Sequence, residues 1–232
     1  MHIQFQTSDL VPPPYAYAVE IHLEKKENGE QHLDFELSYL DRDGLSKEEI
    51  YDEGFSEDDD LKWSGDLNED WSEYIESIKS DLHLIKKSEL RSGDNFWQIT
   101  HNKRTGYPDE TEHLSIFIQE LQQAAFEAAE REAPLLIRVL RISNEERKDY
   151  SFEASFKERT YSETLNGQKK SHPWDELNIF LKDVFSGDFR PEQASKKAPR
   201  KSGLFLSIGD ELWYELGKSY LIQPSKIQQY LS

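Results

Sequence analysis

Cysteine is missing from all 232 positions of this chain, which excludes disulfide cross-links, thiolate metal ligands and cysteine nucleophiles. Long apolar runs are missing too. No stretch reaches the roughly 18 apolar residues that a membrane-spanning helix needs. Met1 through Leu10 hold no basic segment followed by an apolar one of the kind that directs export. A soluble, cytoplasmic protein with no membrane partner is expected. Basic residues are few, 28 Lys and Arg against 46 Asp and Glu, for a net charge of -18. A field of that sign repels polyanions, so nucleic acid is not the expected partner, while basic proteins and cations stay open. With 36% hydrophobic and 12% aromatic residues the composition is too rich for a wholly disordered chain.

What the chain does have is an internal echo. Val19, Glu20, Ile21 answers to Ile137, Arg138, Val139, and Phe35, Glu36, Leu37, Ser38, Tyr39 to Phe152, Glu153, Ala154, Ser155, Phe156. Trp71 through Tyr74 matches Trp174 through Leu177, Gly93, Asp94, Phe96, Trp97 matches Gly209, Asp210, Leu212, Trp213, and Pro108 matches Pro224. In chain order the offsets are 118, 117, 103, 116 and 116. One unit of half the chain, copied and diverged, accounts for that regularity. The expected fold class is α+β, with antiparallel sheets, packed helices and an approximate internal twofold. The expected division is a first repeat over 1–108, a joining helix over 109–133 and a second repeat over 134–232.

Each unit reads as strand, strand, helix, strand or hairpin, then helix. Tyr15, Tyr17, Val19, Ile21 and Leu23 alternate with Ala16, Ala18, Glu20 and His22, Asn28 and Gly29 offer a turn, and Leu33 to Leu40 alternates again. That makes a hairpin over 15–40, echoed over 135–160. A helix opens near Trp71, with Asp70 as cap and Glu73 completing a capping box, and its counterpart opens at Trp174. Gly93 and Gly209 suit the first central position of a type II′ hairpin turn. Residues 109–132 carry apolar side chains at helical spacing, and a helix of that length would reach roughly 36 Å.

The copies differ in two insertions, the expected functional regions. The first carries 14 extra residues before its helix, and positions 41–66 hold 11 acids and 3 bases. The second carries 13 extra after its helix, and positions 186–202 hold 5 bases and 2 acids, with Lys196, Lys197, Arg200 and Lys201 clustered. Trp63, which has no twin across the repeat, follows the acidic run. An aromatic anchor beside carboxylates suits an interface, so Trp63, Glu57, Asp58, Asp59 and Asp60 are the expected partner-binding residues. A solvated loop accounts for the same run of charge.

Catalytic and cofactor motifs are not found. Ser207 precedes Gly209, but Phe205 stands where a nucleophile elbow needs glycine, and Leu212 stands where a phosphate loop ending in Gly217, Lys218, Ser219 would need one. The seven histidines form no His-x-x-x-His pair. Asp41, Asp43 and Gly44 resemble part of a calcium loop without its full spacing. No catalytic residue, cofactor or metal is assigned. The expected function is a non-enzymatic binding protein whose acidic first repeat engages a basic protein. The alternative is a small-molecule enzyme or ligand-binding protein with a site between the repeats.

Overall fold

Alternation at a period of two residues organises both halves of the chain. The computed structural model describes residues 1–86 and 89–231 and divides into two units, Met1–Glu132 and Ala133–Ser232. Ser232, the end of the closing segment read from the sequence, lies outside the described residues. The architecture is mixed α and β with antiparallel sheets. Among the described residues, no helix is long and apolar enough to cross a membrane.

The first unit runs β1 (His2–Gln6), β2 (Tyr17–Lys25), β3 (Gln31–Tyr39), α1 (Lys47–Asp52), β4 (Leu61–Leu67), α2 (Glu69–Asp81), β5 (Leu84–Ile85), β6 (Phe96–His101), β7 (Arg104–Pro108) and α3 (Glu112–Ala128). Its sheet has the order β4-β3-β2-β1-β6-β7-β5. Ile3, Phe5, Val19, Ile21, Leu23, Leu33, Phe35, Leu37, Trp97 and Ile99 all point to one face and are buried. Trp71 and Ile75 of α2 and Leu114, Phe117, Ile118 and Leu121 of α3 supply the buried stripes that complete this core. The Phe117 ring lies against those of Trp71 and Tyr74, with centroids 6.5 and 5.5 Å apart.

Local boundaries depart from the sequence reading for identifiable reasons. The cap of α2 is Asn68, whose Oδ1 accepts from the Trp71 amide at 3.2 Å, so the helix starts before Trp71 and Asp70 lies within its first turn. Gly93 has a φ of +88° but lies in the Arg91–Asp94 turn ahead of β6; the β6–β7 hairpin turns instead at Asn102 and Lys103, with φ of 49° and 62°. Both central residues at positive φ define the type I′ turn that matches strand twist. The long helix begins at Glu112 because the Glu110 carboxylate accepts from the amides of Glu112 and His113 at 2.6 and 3.4 Å. It ends at Ala128 and belongs to the first unit.

The second unit runs β8 (Leu135–Ile142), β9 (Arg147–Ser155), β10 (Thr160–Leu165), β11 (Gln168–His172), α4 (Asp175–Phe185), β12 (Asp188–Phe189), β13 (Gly203–Ser207), β14 (Tyr214–Glu215), β15 (Tyr220–Leu221) and α5 (Ser225–Gln228). Its main sheet has the order β11-β10-β9-β8-β13-β14. Asn166 and Gly167, at φ of 49° and 88°, make the β10–β11 turn. Ile137, Val139, Tyr150, Phe152, Leu177, Phe180 and Val184 pack into one core, while Leu140, Phe205 and Trp213 form a smaller cluster. The fully buried Tyr220 donates its hydroxyl to the Val184 carbonyl at 2.7 Å, tying the end of α4 to β15.

Both sheets thus begin with a four-strand meander, follow it with a helix and, after a two-residue strand (β5, β12), place β6 or β13 on the free side of the first strand. Three of the five sequence echoes join non-equivalent places in that order: Phe35 lies on the third strand of its unit and Phe152 on the second. Trp71 with Trp174, and Pro108 with Pro224, do fall at matching positions, ahead of or within the corresponding helices.

Replacing Phe117 with Ala removes a fully buried ring and should cost about 3–5 kcal/mol of unfolding free energy in a urea titration. A loss below about 1 kcal/mol would mean that α3 is not docked on the sheet.

Candidate functional site

The face of the first sheet that points away from α2 and α3 carries rows of aligned polar side chains. Because the register is antiparallel throughout, outward residues line up across strands: Thr100 opposite His2, His2 opposite His22, His22 opposite Asp34, and Asp34 opposite Ser64. The adjacent row is Gln98, Gln4, Glu20, Glu36 and Lys62, and a third pairs Glu24, His32 and Asp66. Five carboxylates and one lysine therefore project from β1 to β4 on this face. Lys62 bonds Glu36 at 2.8 Å, and Lys26, from the turn at the rim, bonds Asp66 at 2.7 Å. An open groove of about 360 Å³ runs over it, lined by Gln4, Ala18, Glu20, Glu36, Ser38 and the exposed Phe96.

Two clusters stand out there. In the first, the rings of His2 and His22 stack with centroids 3.9 Å apart and planes 9° from parallel. Both turn Nε2 toward the same Glu20 oxygen, at 2.8 and 3.5 Å. The bond with His2, partly offset by burial, holds the Glu20 carboxyl below the usual carboxylate range. Among the described residues this is the one group of histidine and carboxylate donors that converges on a metal-sized space.

In the second, Asp66 Oδ1 lies 2.7 Å from His32 Nδ1, and Ser64 Oγ lies 3.2 Å from His32 Nε2. The order Ser–His–Asp is that of a nucleophilic relay. The serine proton, however, goes to Asp34 Oδ1 at 2.6 Å rather than to the imidazole. A nucleophile whose proton is held by a carboxylate on an open, hydrated face lacks both activation and exclusion of water. The cluster reads as a polar ladder that pins the edge strand.

The residues expected to bind a partner lie elsewhere. Trp63 is on the core-side face of β4, opposite Phe35 and half-buried, with its ring over Gly65. A Cβ at Gly65 would overlap that ring, so glycine is required there. The acidic insertion folds back on Arg42, whose side chain is only 12% exposed. Its guanidinium donates to the Pro14 carbonyl at 3.1 and 3.3 Å, the Ser56 carbonyl at 3.0 Å and Asp59 at 3.2 Å, and stacks 3.7 Å over Tyr39. Asp59 also accepts from the amide and hydroxyl of Ser56, and Asp60 accepts from the Tyr39 amide. Glu57 bonds Lys47 and Tyr51, and the main-chain carbonyl of Asp58 accepts from Arg131. Asp59 and Asp60 turn to different donors, and among the described residues no metal-type cluster forms with Asp41 or Asp43.

Sequence reasoning missed the histidine cluster because β1 was not read as a strand. The signal was available: Ile3 and Phe5 alternate with His2, Gln4 and Gln6. No protein-family model, curated protein or solved structure matches the chain.

Arg42→Ala should release residues 41–60 to limited proteolysis and lower stability by about 2–4 kcal/mol, since it removes the donor to two carbonyls and the counter-charge of Asp59. The same contact has a pH limit. Burial pushes the Asp59 carboxyl up, but Ser56 and Arg42 together outweigh it and leave the folded value below the ordinary one. Its contribution is therefore complete above about pH 4 and is lost as pH falls through the lower folded value. Proteolysis of 41–60 in the native protein should accordingly begin only in that acid range.

Proposed function

We propose that the chain is a non-enzymatic cytoplasmic binding protein, built from two diverged copies of one sheet-and-helix unit, whose acidic first copy engages a basic protein surface. The observation that carries this reading is the bare outer face of the first sheet, with five carboxylates, one lysine and a groove beside Phe96. The charge split supports it: residues 1–132 hold 32 acids and 12 bases, net -20, whereas the remainder holds 14 acids and 16 bases, net +2. A single-sign field of that size steers basic partners, and Phe96 with Ala18 offers apolar ground for the stem of a lysine or arginine between Glu20 and Glu36. Trp63, Glu57, Asp58, Asp59 and Asp60 remain part of the acidic surroundings, with the groove as the centre of the contact. The shared strand order of the two sheets supports the reading as diverged copies.

Affinity capture from a lysate tests the proposal, comparing the native chain with Glu20→Lys/Glu36→Lys. The native chain should retain a defined set of basic proteins, released as salt is raised from about 0.1 M to about 1 M, where the screening length shrinks from about 10 to about 3 Å. The charge-reversed variant should lose them. Equal capture by both chains would overturn the reading.

A further inference from the structure

We infer that His2, Glu20 and His22 form a binding site for a divalent transition-metal ion of the zinc and copper class, on the open face of the first sheet. The inference stands on geometry and does not depend on the partner-binding reading. His2 and His22 are direct cross-strand neighbours, and Glu20 precedes His22 by two residues on the same strand, so the pleat alone brings all three side chains to one side. Nothing about the placement needs a loop to close.

The donor atoms already stand near ligand-to-ligand distances. A tetrahedral ion with bonds of about 2.0–2.2 Å holds its ligand atoms roughly 3.4 Å apart. Here the two Nε2 atoms lie 2.8 and 3.5 Å from one Glu20 oxygen, and all three donor atoms lie within 4.8 Å of one another. Small rotations of exposed side chains on rigid strands would open the gap to take an ion. Strand-borne ligands are more precisely held than loop-borne ones. Two imidazoles and a carboxylate suit zinc, copper or nickel, whereas magnesium and calcium prefer oxygen alone. Three protein ligands leave a fourth position to water, so the bound ion would stay accessible from the groove side.

The alternative explanation of the cluster is ordinary: an exposed histidine pair hydrogen-bonded to a carboxylate. The two differ in what the protein does with free metal. The test is calorimetric titration of the full chain with Zn²⁺ alone and with Cu²⁺ alone, near neutral pH. One ion per chain should bind, Cu²⁺ more tightly than Zn²⁺. Either His2→Ala or His22→Ala should weaken binding at least about tenfold, the low end of what losing even an outer-shell partner costs. His32→Ala, on the same face with its own carboxylates, should leave it unchanged. A measurement that needs no variant runs alongside: substoichiometric Cu²⁺ should broaden the ring-proton signals of His2 and His22 before those of His32, His83 and His113. Absence of stoichiometric uptake, uptake indifferent to His22→Ala, or broadening that begins at other histidines would each overturn the site. None of these readouts involves a protein partner, so failure here and failure of the partner reading are told apart.

Discussion

The register of β1 against β2 fixes more of this molecule than any other pairing, because β1 is the strand on which the sheet of the first unit is hinged. The meander β2–β3–β4 grows from one side of it and β6–β7 from the other, so each must match its pleat. With Ile3 opposite Ile21 and Phe5 opposite Val19, the apolar set of both strands faces α2 and α3. His2, Gln4, Glu20 and His22 are then forced to the other side. A slip of one residue would turn one strand over and bury either His2 and Gln4 or Glu20 and His22 on the core side. The polar face is thus held in place by the same hydrophobic burial that forms the core.

Charge is handled differently in the two regions where it accumulates. In the insertion, Arg42 gathers carbonyls, Asp59 and two aromatic rings, so a segment rich in acids folds inward around one cation. Three of the four acids Glu57 to Asp60 have side-chain partners inside the unit, which lowers what that segment presents outward. On the sheet face the carboxylates are spread across strands, and single lysines at the edge and rim answer two of them. Glu20, Asp34 and Asp66 also have side-chain neighbours in His2, Ser64 and His32, so repulsion is relieved by side chains in both regions. The sheet face differs in spreading its carboxylates over an open surface rather than folding them around one cation.

Local features were legible in the sequence and long-range ones were not. The β2–β3 hairpin, both amphipathic helices and the α+β class follow from periodicity and turn residues, which act over a few positions. Strand β1 has only two apolar residues, Ile3 and Phe5, and becomes recognisable through partners 12 or more residues away. Strand β4 was hidden because Lys62, Ser64 and Asp66 continue the polarity of the acidic run, while Trp63 and Gly65 look like a loop; its edge position explains that composition. The internal echo misled in detail for a related reason. Neighbouring strands of one meander share the same alternation, so short matches between Phe35 and Phe152 score equally well one strand out of step, whereas helix starts and the prolines before them have no such neighbour to be confused with.

Glu20 joins the core, the groove and the histidine pair. Its backbone position is dictated by the core, its side chain by the pleat, and its charge by the hydrogen bond from His2, which favours the ionised form. It lines the groove and also faces both imidazoles. A metal ion held by the histidine pair would place positive charge on the carboxylate that a basic side chain in the groove would use. A metal and a basic partner would therefore be coupled through one residue and oppose each other, since each would supply the counter-charge that the other needs. On the proposed reading, the attraction of the acidic face for basic proteins would vary with the occupancy of the histidine site, because His22 lies two residues beyond Glu20 on a single strand.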